Sequence, residues 1–269
     1  MRLVTFRPPG GVPEAGILQD DRVIGLGREM LSLIAAGTPP LPTGPSYALG
    51  SVTLLAPIPR PPKLICIGLN YRDHAAETKM EIPKVPTIFS KFSNVVIGPD
   101  QPILIPSDRT DYEAEFAFVI GPGGRHIPAS RAMDHVFGYT ILNDVSERRY
   151  QMATSQWMIG KTFDTFAPMG PWLVTKDEIP DPHALDIQLE ISGERLQDSN
   201  TRELIFRIPE LIEHLSSVVT LEPGDVVSTG TPAGVGFARK PPRFLQVGDE
   251  VVIRIEKIGE LRNTVLTAR

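Results

Sequence analysis

The chain of 269 residues carries one cysteine, Cys66. A single thiol cannot close an internal disulfide, so the fold must hold without one, as in a reducing compartment. No apolar run approaches the ~20 residues of a membrane span. The opening Met1-Arg-Leu-Val-Thr-Phe-Arg-Pro8 lacks the apolar core of a secretion signal. We therefore expect a cytoplasmic protein with no membrane partner. Basic residues number 27 against 32 acidic ones, giving a net charge of −5, and no lysine or arginine run stands out. Nucleic acid would require a basic face, so we expect none as a partner. Internal repeats and low-complexity tracts are also missing.

What the chain has in plenty is proline, 27 residues, about twice the average share. The prolines fall between short apolar runs, as at Pro61-Pro62 and Pro241-Pro242. That pattern predicts many short strands joined by rigid turns. Strands are expected at residues 3–6, 23–26 and 52–55, and a helix at 30–36 ended by Gly37 and Pro39-Pro40. The proline-dense segment 57–62 is a plausible boundary. Residues 1–57 then form a small N-terminal domain without a catalytic cluster, and residues 58–269 form the main domain. In the latter, strands are expected at 64–67, 86–92, 95–97, 172–175, 185–191 and 251–256. Leu211, Ile212 and Leu215 mark the apolar side of a helix at 208–219.

The chemistry gathers around Asp111-Tyr-Glu-Ala-Glu-Phe-Ala-Phe118. In a strand, Glu113 and Glu115 point the same way. Adjacent carboxylates repel and raise each other's pKa. A divalent cation removes the conflict, and hard cations prefer oxygen ligands. Asp144, just past the apolar run 136–142, supplies a third carboxylate, and we read the three as a metal triad. Taken alone, Glu-x-Glu is also the solvent face of an amphipathic strand, and Asp144 a turn residue.

His74 and Glu77 lie three apart in the helical pattern 72–79 and share a face. A carboxylate beside an imidazole orients it as a general base. A surface ion pair would look the same in sequence. The segment is short, polar and flanked by Gly68 and Pro83, so it could move as a lid. If 143–151 is a helical turn, Arg148 and Gln151 share the face of Asp144. Both could donate to a carboxylate or enolate oxygen, or be ordinary surface polarity. Lys161, among apolar and aromatic neighbours, either snorkels outward or stabilises charge in a site. The run Thr229-Gly-Thr-Pro-Ala-Gly-Val-Gly236 would let backbone N–H groups meet an anion. It lacks the lysine of a P-loop, which argues against a nucleotide. Thr229 and Thr231 could bond a substrate carboxylate, or the run is a tight turn.

Each signal is weak alone, but their order is distinctive. Gly68-Leu-Asn-Tyr-Arg-Asp-His74, Tyr112-Glu-Ala-Glu-Phe116, Asn143-Asp-Val-Ser146, Gly160-Lys-Thr-Phe-Asp-Thr-Phe166 and the 229–236 run resemble the fumarylacetoacetate hydrolase family. The likeness covers residues 64–265. It is strongest to the domain-containing branch, where Phe89-Ser-Lys-Phe92 and Arg239-Lys-Pro-Pro242 also match. The resemblance implies an α+β, β-rich fold, with layered mixed β-sheets in the C-terminal domain, a small N-terminal domain, and a homodimer. It places Mg²⁺ or Mn²⁺ on Glu113, Glu115 and Asp144, and makes His74 and Glu77 the water-activating dyad on a lid. It assigns Arg148, Gln151 and Lys161 to a 2-keto acid and its developing charge, and Thr231 to the substrate carboxylate. One departure stands out. The full-length hydrolases take their dyad from elsewhere and carry a further metal-side aspartate, whereas short members use His-x-x-Glu. The activity implied is hydrolytic C–C cleavage of acylpyruvate-type 2,4-diketo acids to pyruvate and an acid. The alternative is tautomerisation, isomerisation or decarboxylation of oxaloacetate-like or 2-hydroxymuconate-like diacids on the same site. A non-enzymatic scaffold would show a lesion among these residues, and none is present.

Overall fold

The computed structural model describes residues 1–37 and 40–268; the Pro39 half of the expected helix stop lies outside them. The organising element is the strand Ala114–Ile120, buried along its whole length. Its alternation does not divide core from solvent. Ala114, Phe116, Phe118 and Ile120 pack into one apolar core, and Ala117 and Val119 into another. Glu115 belongs to the second of these faces by parity. The carboxylates thus continue a buried face where the strand begins, which overturns the solvent-face alternative.

This strand lies within a twelve-stranded sheet. Its path runs Ser46–Ala48, Arg22–Gly25, Glu14–Gln19, Arg2–Arg7, Ala167–Thr175, Val136–Asn143, Ala114–Ile120, Val226–Ser228, Leu64–Gly68, Thr87–Ser90. The strands of residues 1–57 extend this same sheet through the antiparallel pair Arg2–Arg7 and Ala167–Thr175. Their helix, Met30–Ala36, buries Met30, Leu33 and Ile34. A five-stranded sheet, Glu194–Asn200, Asp186–Ile191, Glu250–Ile255, Gly259–Thr267, Ile103–Ile105, closes the first core from the other side. The helix Ile208–Val218 packs Leu211, Ile212 and Leu215 into that core. At its start the Glu210 carboxylate accepts from the Arg207 N–H at 2.7 Å, which satisfies one orphan donor.

Register places the site. Ala114 sits opposite Asn143 in the antiparallel pair, so Asp144, one residue on, donates its N–H to the Glu113 carbonyl at 2.9 Å. Val226–Ser228 and Leu64–Gly68 run parallel. Their outgoing segments, the 229–236 run and the helix Arg72–Thr78, therefore leave at one edge of the sheet, beside the carboxylates.

Two expectations are corrected. Residues 143–151 are not one helical turn: Ser146–Glu147 pairs with Thr110–Asp111 as a strand, and only Arg148–Gln151 is helical. Glu14–Gln19, Glu194–Asn200 and Gly259–Thr267 are strands that the pattern did not reveal. Glu194–Asn200 is charged because it is an edge strand with a wet face, and its apolar alternation is correspondingly thin. Among the described residues, no helix is long and apolar enough to cross a membrane.

Candidate active site

Glu113, Glu115 and Asp144 each offer an oxygen within 4.8 Å of the others. They are 6%, 2% and 0% exposed, so none is solvated. Each is answered by a buried partner. Lys161 Nζ lies 2.7 Å from both Glu113 Oε2 and Asp144 Oδ2. Arg148 lies between Glu113 Oε1, at 2.7 Å, and Asp111 Oδ2, at 2.8 Å. Lys91 donates to Asp144 Oδ1 and, at 3.0 Å, to the Val145 carbonyl. Glu115 Oε2 accepts from Ser228 Oγ at 2.5 Å and the Gly230 N–H at 3.0 Å.

This unequal partnering splits the carboxylates. Burial raises Glu113, but Lys161 and Arg148 outweigh it and hold the group at about 2. Burial, then Asp144 and Glu113, push Glu115 well above the usual carboxylate range. Burial opposes charge on Lys161, yet Asp144 and Glu113 hold its ammonium up at about 12. Lys161 is thus a fixed buried cation and does not snorkel. Lys91 is pulled down by its burial despite Asp144.

The short helix Met158–Lys161 reaches this position because Gly160 has no side chain. A Cβ there would lie 2.3 Å from Gln151 N, so only glycine lets the helix close on Arg148–Gln151. Gln151 Oε1 in turn accepts from Arg148 Nη1 at 2.7 Å.

The His74 Nδ1 and Glu77 Oε2 are 2.9 Å apart. Glu77 Oε1 accepts from the Gly234 N–H at 2.9 Å. The helix that bears them is tied down. Arg72 donates to the Leu204 carbonyl at 2.7 Å, and Ser199 Oγ to Asp73 Oδ2 at 2.5 Å. In this structure the segment expected to be able to move as a lid is held by contacts from Arg72, Asp73 and Glu77.

The glycine-rich run also behaves differently from the expectation. Its N–H groups do meet anions, but the anions are the protein's own carboxylates. Gly230 serves Glu115, Gly234 serves Glu77, and Gly236 and Phe237 serve Asp111 at 2.8 and 3.0 Å. The Thr229 hydroxyl is committed to the Phe116 carbonyl at 2.7 Å. Thr231 lines the cavity while donating to the Ala114 carbonyl and accepting from Gln197 Nε2.

Sequence reasoning assigned no role to Asp111, Lys91 or Trp157. Asp111 shares parity with Glu113 and Glu115, which was the available signal. It joins Arg148 to the glycine-rich run. Lys91 lay in a motif used only for the resemblance.

His74, Glu113, Glu115, Arg148, Gln151, Lys161 and Thr231 line one cavity of about 80 Å³. A larger concavity of about 700 Å³ lies behind the Thr87–Ser90 strand, lined by Ile88, Phe92, Leu215 and Val218. Its charged lining is Lys63 and Lys91 alone, with no carboxylate or imidazole in that lining, so we place the chemistry in the smaller one.

The donor set fits a hard divalent cation. All three candidate ligands are carboxylates, and of the two Glu115 oxygens Oε2 takes the hydrogen bonds from the described residues, leaving Oε1 for an ion. Four buried carboxylates, Asp111 included, face three buried cations, Lys91, Lys161 and Arg148. Their sum is −1 when all are ionised. A divalent ion would turn it to +1, which suits an anionic ligand.

The layered β-rich fold thus carries a buried three-carboxylate centre that could hold a metal ion. Residues 63–266 match the model described as Fumarylacetoacetate (FAA) hydrolase C-terminal, and residues 1–57 match Rv2993c-like, N-terminal. The chain belongs to the fumarylacetoacetate hydrolase family. It is 52% identical to the Xenopus laevis "Oxaloacetate tautomerase fahd2, mitochondrial" over 80% of this chain and 69% of that one. Among solved structures, 5-carboxymethyl-2-hydroxymuconate delta-isomerase from Mycobacterium smegmatis is 39% identical, with a TM-score of 0.86 and both chains fully covered. Maleylpyruvate hydrolase from Sphingobium sp. SYK-6 is 31% identical, with a TM-score of 0.82 and full coverage of both chains.

Proposed function

We propose that the protein is a divalent-metal-dependent tautomerase of a small 2-keto diacid of the oxaloacetate type. The choice of tautomerisation rests on the names of the relatives, and the substrate size on the cavity of about 80 Å³ against the charged cluster. It is far below the ~300 Å³ at which drug-sized pockets begin, and so fits a short substrate. The name of the Xenopus laevis relative supports the same reading.

Glu113, Glu115 and Asp144 would hold Mg²⁺ or Mn²⁺. Such an ion supplies Lewis-acid polarisation of a 2-keto acid's oxygens. Lys161, its charge fixed, stands beside the position where enolate charge develops, and needs no reorganisation to stabilise it. Arg148 is aimed by Asp111 and Glu113, and Gln151 by Arg148. With its Nδ1 held by Glu77, His74 keeps Nε2 to accept a proton from substrate C3. The imidazolium then gives that proton to the enolate oxygen at C2, which completes the keto-to-enol exchange; the same two transfers in reverse take the enol to the keto acid.

A second reading, hydrolysis of acylpyruvates to pyruvate and an acid, is favoured by the complete His74–Glu77 pair. That pair could take its proton from a water instead. The two differ in product. The test is to mix metal-replete protein with enol-oxaloacetate, and separately with acetylpyruvate and fumarylpyruvate. Decay of the enol absorbance without pyruvate release, lost on chelation and in His74→Ala, is the expected result. Stoichiometric pyruvate from a diketo acid, with no effect on enol-oxaloacetate, would replace tautomerisation by hydrolysis. The homodimer implied by the resemblance, and a reducing compartment such as the cytoplasm for buried Cys66, belong to the same proposal.

A further inference from the structure

The cavity has two unlike sides. One is the charged cluster. The other is apolar, formed by Leu69, Met80, Phe89, Met152, Trp157 and Phe237. A four-carbon 2-keto diacid, charged at both ends, belongs on the charged side, so any longer or aromatic acyl extension would have to lie against the apolar one. The members of that side differ in how far they can yield. Met80 and Met152 are 52% and 60% exposed, and an unbranched thioether in that setting swings aside at little cost. The Phe89 ring lies 5.1 Å from Lys161 Nζ and the Phe237 ring 4.5 Å from the Arg148 guanidinium, so both rings support the charged groups.

Trp157 is the large member that is held on two sides. Its ring meets Phe89 edge-on, with centroids 5.7 Å apart at 69°. It also rests on the backbone of Gly68, so closely that a Cβ there would lie 2.4 Å from its Cζ3. It immediately precedes the short helix that ends in Lys161, which couples the position of the indole to that of the ammonium. We propose that Trp157 sets the length limit of the substrate tail, confining the site to four-carbon diacids and excluding diketo acids with long or aromatic acyl groups. Gly68 is its seat, and the two residues act as a matched large–small pair. This rests on the reading of the site as a 2-keto acid enzyme, and it names the substrate size.

The kinetic test compares kcat/KM for oxaloacetate with that for a phenyl-substituted 2,4-diketo acid in wild type, Trp157→Phe and Trp157→Ala. The ratio should move toward the phenyl substrate by about tenfold or more in Trp157→Ala, on the scale of one or two methylenes of pocket fit, with Trp157→Phe between. An unchanged ratio would overturn the proposal. Gly68→Ala should impair oxaloacetate turnover in wild type and have little effect in the Trp157→Ala background, since contacting residues are non-additive. Equal effects in both backgrounds would remove Gly68 as the seat. A binding readout separates failure of this inference from failure of the functional reading. The chain has two tryptophans, so Trp172→Phe leaves Trp157 as the sole reporter. Adding oxalate with Mg²⁺, at concentrations that raise the melting temperature, should change its fluorescence. A thermal shift without a fluorescence change would place Trp157 away from the ligand, whatever the enzyme's reaction proves to be.

Discussion

The two ends of the large sheet obey different rules. At the N-terminal end, Leu3, Ile17, Leu33 and Ile34 are buried among apolar neighbours, and no buried ion pair interrupts them. At the other end, the same sheet buries Glu113, Glu115, Asp144, Lys91, Lys161 and Arg148 within one cluster. Apolar burial contributes to stability at roughly 25 cal/mol per Å². A buried ion pair frequently does no better than an apolar replacement, because desolvation offsets the attraction. Six buried ionisable groups gathered in one cluster therefore make little sense as a stability device. They make sense as a place where a cation and an anionic substrate meet prepared partners. One end of the sheet is a foundation and the other is an instrument.

That division is breakable by mutation. Asp144→Ala should have the largest effect, lowering turnover about 10³-fold, the scale of losing a preorganised charged group. It also leaves Lys91 and Lys161 without a shared partner, so a lower melting temperature should accompany it. Turnover and thermal scans on one preparation check both. Leu33→Ala should give the mirror image. Loss of a leucine side chain from the core costs about 2–5 kcal/mol, while kcat per folded molecule stays at the wild-type value. If Leu33→Ala lowered kcat in fully folded protein, the two ends would not be independent.

Asp111→Asn sharpens the boundary of the active end. Asp111 touches Arg148 and two N–H groups of the glycine-rich run but does not belong to the triad. Outer partners of metal sites typically matter about 10–100-fold, and that is the loss expected in kcat/KM, with most of it in KM if Arg148 mainly holds substrate. On the second sheet, Arg254 joins Glu190 and Glu260 in a surface network. Arg254→Ala should cost under about 1 kcal/mol in denaturant melts and leave turnover alone.

The foundation was the easier half to read from sequence. Residues 30–36 and 208–219 carry the apolar spacing of packed helices, and both are helices in the fold. Glu14–Gln19 was missed because it is buried on both faces, so it shows no alternation, and Ala15 and Gly16 are too small to mark a strand. In the site, the spacing of Glu113, Glu115 and Asp144 was legible because parity and a strand end sufficed to bring them together. Burial was not legible. Glu-x-Glu reads identically on a wet face and on a buried one, and only the pairing of Ala114–Ile120 on both edges decides between them. Lys91 and Asp111 come into place through long-range pairing of the chain, and their neighbours in sequence carry no trace of their partners in space.

The family resemblance supplied the chemistry's outline, but it left hydrolysis and tautomerisation side by side. On the proposed reading, the room left beside the three carboxylates separates them, and that room is lined by Trp157, Met80 and Met152, none of which is a catalytic residue type. The size of this space is a property of packing, set by Gly68 and Gly160 as much as by the side chains that fill it.

The central claim is that the buried carboxylates form a cation site, and Glu115 gives it a signature. In the folded protein, burial holds its carboxyl well above the usual carboxylate range. The folded state therefore keeps a proton that the unfolded chain has released. Without metal, this group's contribution to stability falls as pH rises from about 4.5 through its raised value. A cation needs the carboxylate form and displaces that proton, so its stabilisation grows with pH. Thermal unfolding should be followed at pH 6 and pH 8, with Mg²⁺ and with chelator, in wild type and Glu115→Gln. The expected result is a metal-dependent rise in melting temperature that is larger at pH 8 and largely lost in the variant. An equal rise in both proteins, or none in either, would contradict it.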